Sequence, residues 1–168
     1  MTTESSVNNF LLVSPGPTTG LLLHYTGDHC RGTLHIYRSG VISTSPALIL
    51  QALEIMCTGE GVWPEKVIIS EPDVTGDTNE ALVGIIVAEG VKAFAKKRDL
   101  PLLAVPLQTI CDTLAGGRKV ADGGLSQALA NLARPRPAMK NWSQEEMLAA
   151  AAGETALRRR QLVLAARN

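Results

Sequence analysis

The chain has little aromatic material for a core: two Phe, two Tyr and two Trp among 168 residues. Cysteine is equally scarce. Cys30, Cys57 and Cys111 are odd in number, widely spaced and in no C-x-x-C pattern. That excludes a disulfide framework or a zinc site and points to reduced thiols in a cytosol. There is no net charge, with 16 Lys and Arg against 16 Asp and Glu, and charged residues make up only 19%. A disordered acidic or basic chain is thereby excluded. No apolar run reaches the roughly 18 residues a membrane span needs, so no membrane partner is expected. The opening MTTESSVNN has no basic segment before its short apolar stretch, so a secretory leader is not expected either.

What is present suits one globular domain with a short appendage. Apolar residues form 45% of the chain, enough for a sizeable core. Residues 10–13 read as a strand running into the turn Ser14-Pro15-Gly16-Pro17. Residues 21–25 and 33–38 read as two more strands, punctuated by Gly27-Asp28 and Ser39-Gly40, giving an antiparallel meander. Residues 45–57 carry Leu48, Ile49, Ala52, Leu53 and Met56 at helical spacing, with Ser45 as cap and Pro46 at the first helical position. A strand over 67–70 ends at Glu71. A long helix covers 79–98, a fifth strand 102–105, a short helix 107–114, and a further helix 121–133. This β-β-β-α-β-α-β-α order implies a mixed sheet with helices on both faces. In such sheets chemistry gathers at the carboxyl ends of the strands, where Ser14 and Glu71 fall.

The tail reads as a distinct unit. The expected division is a core over 1–134, a Pro-containing linker over 135–142, and an alanine-rich helix over 143–168. Ser143-Gln-Glu-Glu146 is a capping box at the start of that helix. Alanine buries little area, so the helix is expected to pack back on the domain rather than stand alone.

The balanced charge conceals an asymmetry. Residues 1–90 hold three bases against ten acids, and residues 91–168 hold thirteen against six. The bases cluster at Lys96-Lys97-Arg98, Arg118-Lys119, Arg134/Arg136 and Arg158-Arg159-Arg160. Such clusters can contact nucleic-acid phosphate, although solvated helix faces look the same. Lys96, Lys97, Arg118, Lys119, Arg134 and Arg136 are the candidate DNA contacts.

Three motifs, taken in order, resemble the RuvC-type Holliday junction resolvases of the ribonuclease H-like superfamily, and among them the shorter RuvC-like proteins of phages. Leu11-Leu12-Val13-Ser14-Pro15-Gly16-Pro17-Thr18-Thr19-Gly20-Leu21 matches the family's strand–Asp-Pro-Gly-x-x-Thr-Gly–strand opening except at the acid. Val67-Ile68-Ile69-Ser70-Glu71 fits the strand that ends in Glu. Lys119-Val120-Ala121-Asp122 followed by a helical run is similar to the segment where an Asp or His precedes Asp by three positions. The likeness covers roughly residues 9–133. It implies a ribonuclease H-like fold with a mixed five-stranded sheet, a cytoplasmic setting in a bacterial or phage-infected cell, and a homodimer through helix 79–98.

The resemblance also implies a chemistry. Two divalent cations about 4 Å apart activate water and stabilise the leaving oxygen, and magnesium wants converging carboxylates. Glu71 and Asp122 are the acids that remain for Mg²⁺ or Mn²⁺. Ser14 and Lys119 stand at the degenerate positions, and an ammonium at Lys119 would repel a cation. The expectation is a resolvase-like protein that has lost metal-dependent cutting, uses no cofactor, and binds branched or duplex DNA or a protein partner. An active structure-selective endonuclease with a reorganised site, recruiting Asp73, Asp77 or Asp112, is one alternative. A protein-only adaptor is another. The loop Pro15–Gly20 also resembles the phosphate loop of actin-like ATPases, but no G-K-S/T follows. His24, Cys30 and His35 would be metal ligands only if the meander gathered them. Trp63 and Trp142 read as loop anchors. No local motif supports a cysteine nucleophile.

Overall fold

A computed structural model describes residues 9–25, 28–38, 41–42 and 44–167. Seven strands and five helices follow one another as β1 (Phe10–Ser14), β2 (Thr18–Tyr25), β3 (Asp28–His35), β4 (Tyr37–Arg38), β5 (Val41–Ile42), α1 (Pro46–Glu60), β6 (Lys66–Ser70), α2 (Thr78–Lys97), β7 (Leu102–Val105), α3 (Leu107–Leu114), α4 (Gly124–Ala133) and α5 (Gln144–Arg167). Five of the strands form one sheet in the order β3-β2-β1-β6-β7, and β4 and β5 form a separate small ribbon. The first three strands are antiparallel, while β6 and β7 join parallel to β1 and to each other. This is the mixed five-stranded sheet, an antiparallel meander joined to parallel strands, that the sequence implied.

Alternation in the strands splits the core into two layers. Leu11, Val13, Leu21, Val67 and Ile69 face α1 and α2, where they meet Leu53, Val83, Val87, Val91 and Phe94. Leu12, Leu22 and Ile68 face the other way, onto α3, α4 and α5. Aliphatic residues do the work that the six aromatic residues are too few to do. Close helix packing helps: a Cβ on Gly90 would stand 2.5 Å from Ile49 Cβ and 2.9 Å from the Pro46 carbonyl, so α1 and α2 approach closely because position 90 has no side chain.

Caps fix the helix starts. The Ser45 hydroxyl accepts from the Leu48 amide at 3.4 Å, with Pro46 in the first turn of α1. Asp77 caps α2 by accepting from the Asn79 and Glu80 amides. Several boundaries move: β2 begins at Thr18 rather than at residue 21, because it pairs from there with His35, and α1 runs on to Glu60 rather than ending at 57, while two further differences change the course of the chain. β3 runs over Asp28–His35 and leaves Tyr37–Arg38 to the small ribbon, because pairing begins at once after the turn, with Tyr25 opposite Asp28. The helix expected over 121–133 divides into a 3-10 turn at Val120–Asp122 and α4, because Gly123 in the left-handed region ends the turn.

Residues 135–142 contain a 3-10 turn, Pro137–Asn141, with Met139 buried. α5 then crosses the sheet over β1, β2 and β6. Among the described residues no helix is long and apolar enough to cross a membrane.

Candidate functional site

Ser14 ends β1 and is only 2% exposed. β1 and β6 pair in parallel with Val13 opposite Ile69, so one step further on Ser14 and Ser70 end neighbouring strands side by side. Both continue the face of Leu12 and Ile68, the face that α5 covers. Glu71 lies one residue beyond the end of β6 and is exposed. Its backbone N–H donates to the Val105 carbonyl at 2.9 Å, extending the β6–β7 ladder.

The first turn of α5 closes over these serines. The Ser14 hydroxyl donates to the Glu145 carbonyl at 2.7 Å and accepts from the Gly20 amide at 3.3 Å. The helix end rests on the strand backbone itself, since a Cβ on Gly20 would lie 2.1 Å from the Glu145 carbonyl oxygen. The capping box read from the sequence is formed: the Glu146 amide donates to Ser143 Oγ at 3.1 Å, and the Ser143 amide to Glu146 Oε1 at 3.3 Å. Ser70 Oγ is buried with no hydrogen-bond partner among the described residues.

A single ion pair completes the cluster. Arg31 Nη1, from β3, donates to Glu146 Oε2 at 2.6 Å, with the two side chains 35% and 8% exposed. The guanidinium also lies 5.3 Å from the Trp142 ring centre, and Trp142 meets His29 at 5.2 Å. Burial would raise the Glu146 carboxyl, but hydrogen bonds from Arg31 and Ser143 and the guanidinium charge together hold it below the ordinary carboxylate value.

The remaining sequence-derived candidates lie elsewhere. Lys119 precedes and Asp122 ends the exposed 3-10 turn between α3 and α4, where the Asp122 amide donates to the Lys119 carbonyl. Gln108, in the first turn of α3, holds that turn by accepting from the Val120 amide and donating to the Arg118 carbonyl. Arg118 and Lys119 therefore sit at the carboxyl end of the sheet, on its β7 side. The residues that touch the Ser14 hydroxyl come from α5 and β2, not from this turn.

The spare acids are engaged locally. Asp73 accepts from the Thr75 amide and hydroxyl, and those bonds lower its pKa. Asp77 is the α2 cap, and Asp112 accepts from Gln108. The loop after β1 is satisfied from within, as buried Thr19 accepts from the Gly16 amide and donates to the Gly16 carbonyl. That leaves the loop one fewer amide with which to cradle a phosphate. His24 and Cys30 occupy different rungs of the β2–β3 ladder, and His35 sits opposite Thr18 at its far end. Burial raises all three thiols, Cys57 to about 11, the reverse of what a nucleophile needs.

The basic candidates fall on two layers. Lys96 and Lys97 end α2, where Lys97 pairs with Glu54 at 2.7 Å. Neighbouring Arg98 lies 3.4 Å over the Trp63 ring. On the other layer Arg118, Lys119 and Arg134 are exposed, whereas Arg136 donates to the Leu132 carbonyl and pairs with Glu154 at 3.5 Å.

Sequence reasoning passed over Ser70, Ser143, Glu146 and Arg31. The signal existed for two of them. Ser143-x-x-Glu146 ahead of an alanine run fits the pattern assigned to Lys119–Asp122 as well, one element later. The capping box explained it locally and so concealed its place over Ser14. The groups gathered around Ser14 are hydroxyls and the Glu146 carboxylate, whose Oε2 already accepts from Arg31 and whose Oε1 accepts from the Ser143 amide. Among the described residues no group of three His, Cys, Asp or Glu converges. Such a donor set does not fit a pair of hard divalent cations, which require several carboxylates.

No family model and no curated protein matches the chain. Solved structures do. One is T. thermophilus RuvC in complex with a Holliday junction substrate, at 14% identity over 87% of this chain and 90% of that one, with a TM-score of 0.61. Another is a Thermus thermophilus RuvC structure, at 19% identity over 90% and 95%, with a TM-score of 0.57. The chain has the RuvC fold.

Proposed function

We infer that this RuvC-fold chain binds branched or duplex DNA without cutting it. The observation that carries the reading is the pairing of Arg31 with Glu146 beside Ser14: a guanidinium stands against the buried carboxylate nearest Ser14, where a cation would have to sit. The RuvC neighbour is in complex with a Holliday junction, and Arg118, Lys119 and Arg134 offer exposed cations on the α3–α5 layer. Phosphate binding needs no more than such a basic surface.

The test is incubation with labelled four-way junctions in Mg²⁺ or Mn²⁺, followed by gel-shift titration across salt. No nicks are expected. Binding should weaken with a log–log salt slope of roughly −3.5 if about four phosphates are contacted, and Arg118→Ala with Lys119→Ala should flatten it. Metal-dependent paired nicks would overturn the reading in favour of a reorganised endonuclease, with Glu71→Gln locating the surviving acid.

A second reading rests on another surface. Leu48 and Ile55 on α1, and Leu82 and Ile85 on α2, are 52%, 64%, 45% and 43% exposed. Apolar residues spread over both helices suit a protein contact, and a homodimer through helix 79–98 uses them. A chain that self-associates through this face yet shifts no DNA at low salt is the protein-only adaptor.

A further inference from the structure

Beneath the middle of α5 the described residues leave the sheet incompletely covered. α5 presents Ala150, Gly153 and Ala156 to Phe10, Leu12, Leu22 and Ile68, and these small residues leave a chamber of about 410 Å³. Gly153 brings the helix close, since a Cβ there would lie 2.7 Å from Leu12 Cδ1, while the alanines on either side fill little of the space. Trp142 and Met139 wall the chamber beside α4. A cavity of this size is typical of small-molecule sites.

Its mouth is cationic. Lys66 opens β6 opposite Phe10. By alternation it belongs to the face of Ile68, so a half-buried lysine points toward the helix-covered side of the sheet. Arg160 and Arg136 complete the rim. The one rim acid, Glu154, is already paired with Arg136 and Arg158. Among the described residues neither Lys66 nor Arg160 has an ion-pair partner. A second, shallower hollow along β7 shares Lys66, Ala156 and Arg160, so the two cations stand where the hollows meet.

We propose that this chamber binds a single-chain aliphatic carboxylate, its chain against Leu12, Leu22 and Ile68 and its head on Lys66 and Arg160. A half-buried lysine and an exposed arginine at the edge of the chamber offer their charges to an anionic head, and an apolar lining selects for hydrocarbon. The site lies at the amino ends of β1 and β6, away from Ser14, and is independent of the DNA reading.

The test is calorimetric titration of the full chain with dodecanoate, dodecanol and inorganic phosphate, without DNA and below micelle formation. Dodecanoate should bind one per chain, at least tenfold tighter than dodecanol, with no saturable heat from phosphate. Lys66→Gln with Arg160→Gln should reduce dodecanoate to the dodecanol level. Ala150→Leu should abolish binding of both while circular dichroism stays unchanged. Where that variant fails to fold, Leu157→Trp fills the chamber from a half-exposed position of its mouth. No saturable dodecanoate binding, equal binding of phosphate alone, or affinity untouched by the filling variant would overturn the proposal.

Discussion

Arg31→Ala should unsettle the cap on the sheet more than its exposed position suggests. The guanidinium donates to Glu146 at 2.6 Å, and the Glu146 side chain is 8% exposed against 35% for Arg31. An exposed pair is worth about 0–1 kcal/mol, and breaking a fully buried one costs about 3–5 kcal/mol. A pair with one buried partner falls between, near the roughly 1.5–3 kcal/mol of a hydrogen bond to a charged group. Taking about 2 kcal/mol, Tm falls by roughly 4–8 °C for a chain of this size. Glu146→Gln should cost less, near 1 kcal/mol, because glutamine still completes the capping box and the released arginine reaches water. The pH dependence follows from the lowered carboxyl pKa. Its stabilisation is fully present above the unfolded value, 4.5, and is lost as pH falls below that through the folded value. In Arg31→Ala the carboxyl pKa rises, so the residual benefit fades at higher pH. Thermal melts of parent, both single variants and the double variant between pH 3 and pH 7 provide the assay. An Arg31→Ala melt within about 1 °C of the parent, or single costs that simply add in the double variant, would refute the coupling.

Further outcomes follow from single contacts. Ser14→Asp sets a carboxylate against the Glu145 carbonyl in a nearly dry position, so it should cost about 2–3 kcal/mol, and Mn²⁺ should not restore its Tm. Gly90→Ala should lose about 1–3 kcal/mol to overpacking against Ile49 and the Pro46 carbonyl, even though alanine favours helix by about 1 kcal/mol; an unchanged melt would show that α1 can shift away. On the proposed homodimer through α2, the parent should sediment as a dimer and Leu82→Ser with Ile85→Ser should shift it toward the monomer with little change in circular dichroism; a monomeric parent or an unshifted variant would refute that contact.

The fold was legible where local chemistry and burial agree. Ser45-Pro46 and Ser143-x-x-Glu146 announced helix starts, and Val67–Ser70 announced a buried strand by its apolar run, whereas Asp77, read only as a spare acid, is the α2 cap. The site was harder to read because it depends on register. Whether Ser70 or Glu71 stands beside Ser14 is a one-residue question, and one residue changes the face a strand side chain occupies. Only the pairing of Val13 with Ile69 answers it. Arg31 was invisible for a related reason. Its partner lies 115 residues away, and nothing local to β3 marks it among other exposed strand positions. The alanine-rich stretch was read as packing back on the domain, as it does, and the smallness of its side chains is what lets α5 lie close on Leu12.

The composition of the cluster follows a charge argument. Several carboxylates gathered at strand ends repel one another unless cations lie between them. Removing a single acid from such a set would leave the others crowded and under-neutralised. Here the positions nearest α5 carry Ser14, Ser70 and Ser143, which need no counter-charge, and the one acid, Glu146, meets one guanidinium at contact distance. The Glu146 charge is balanced without any ion from solution. Stability of the α5 cap should then be indifferent to chelator and to added Mg²⁺, because the positive charge is covalently part of β3.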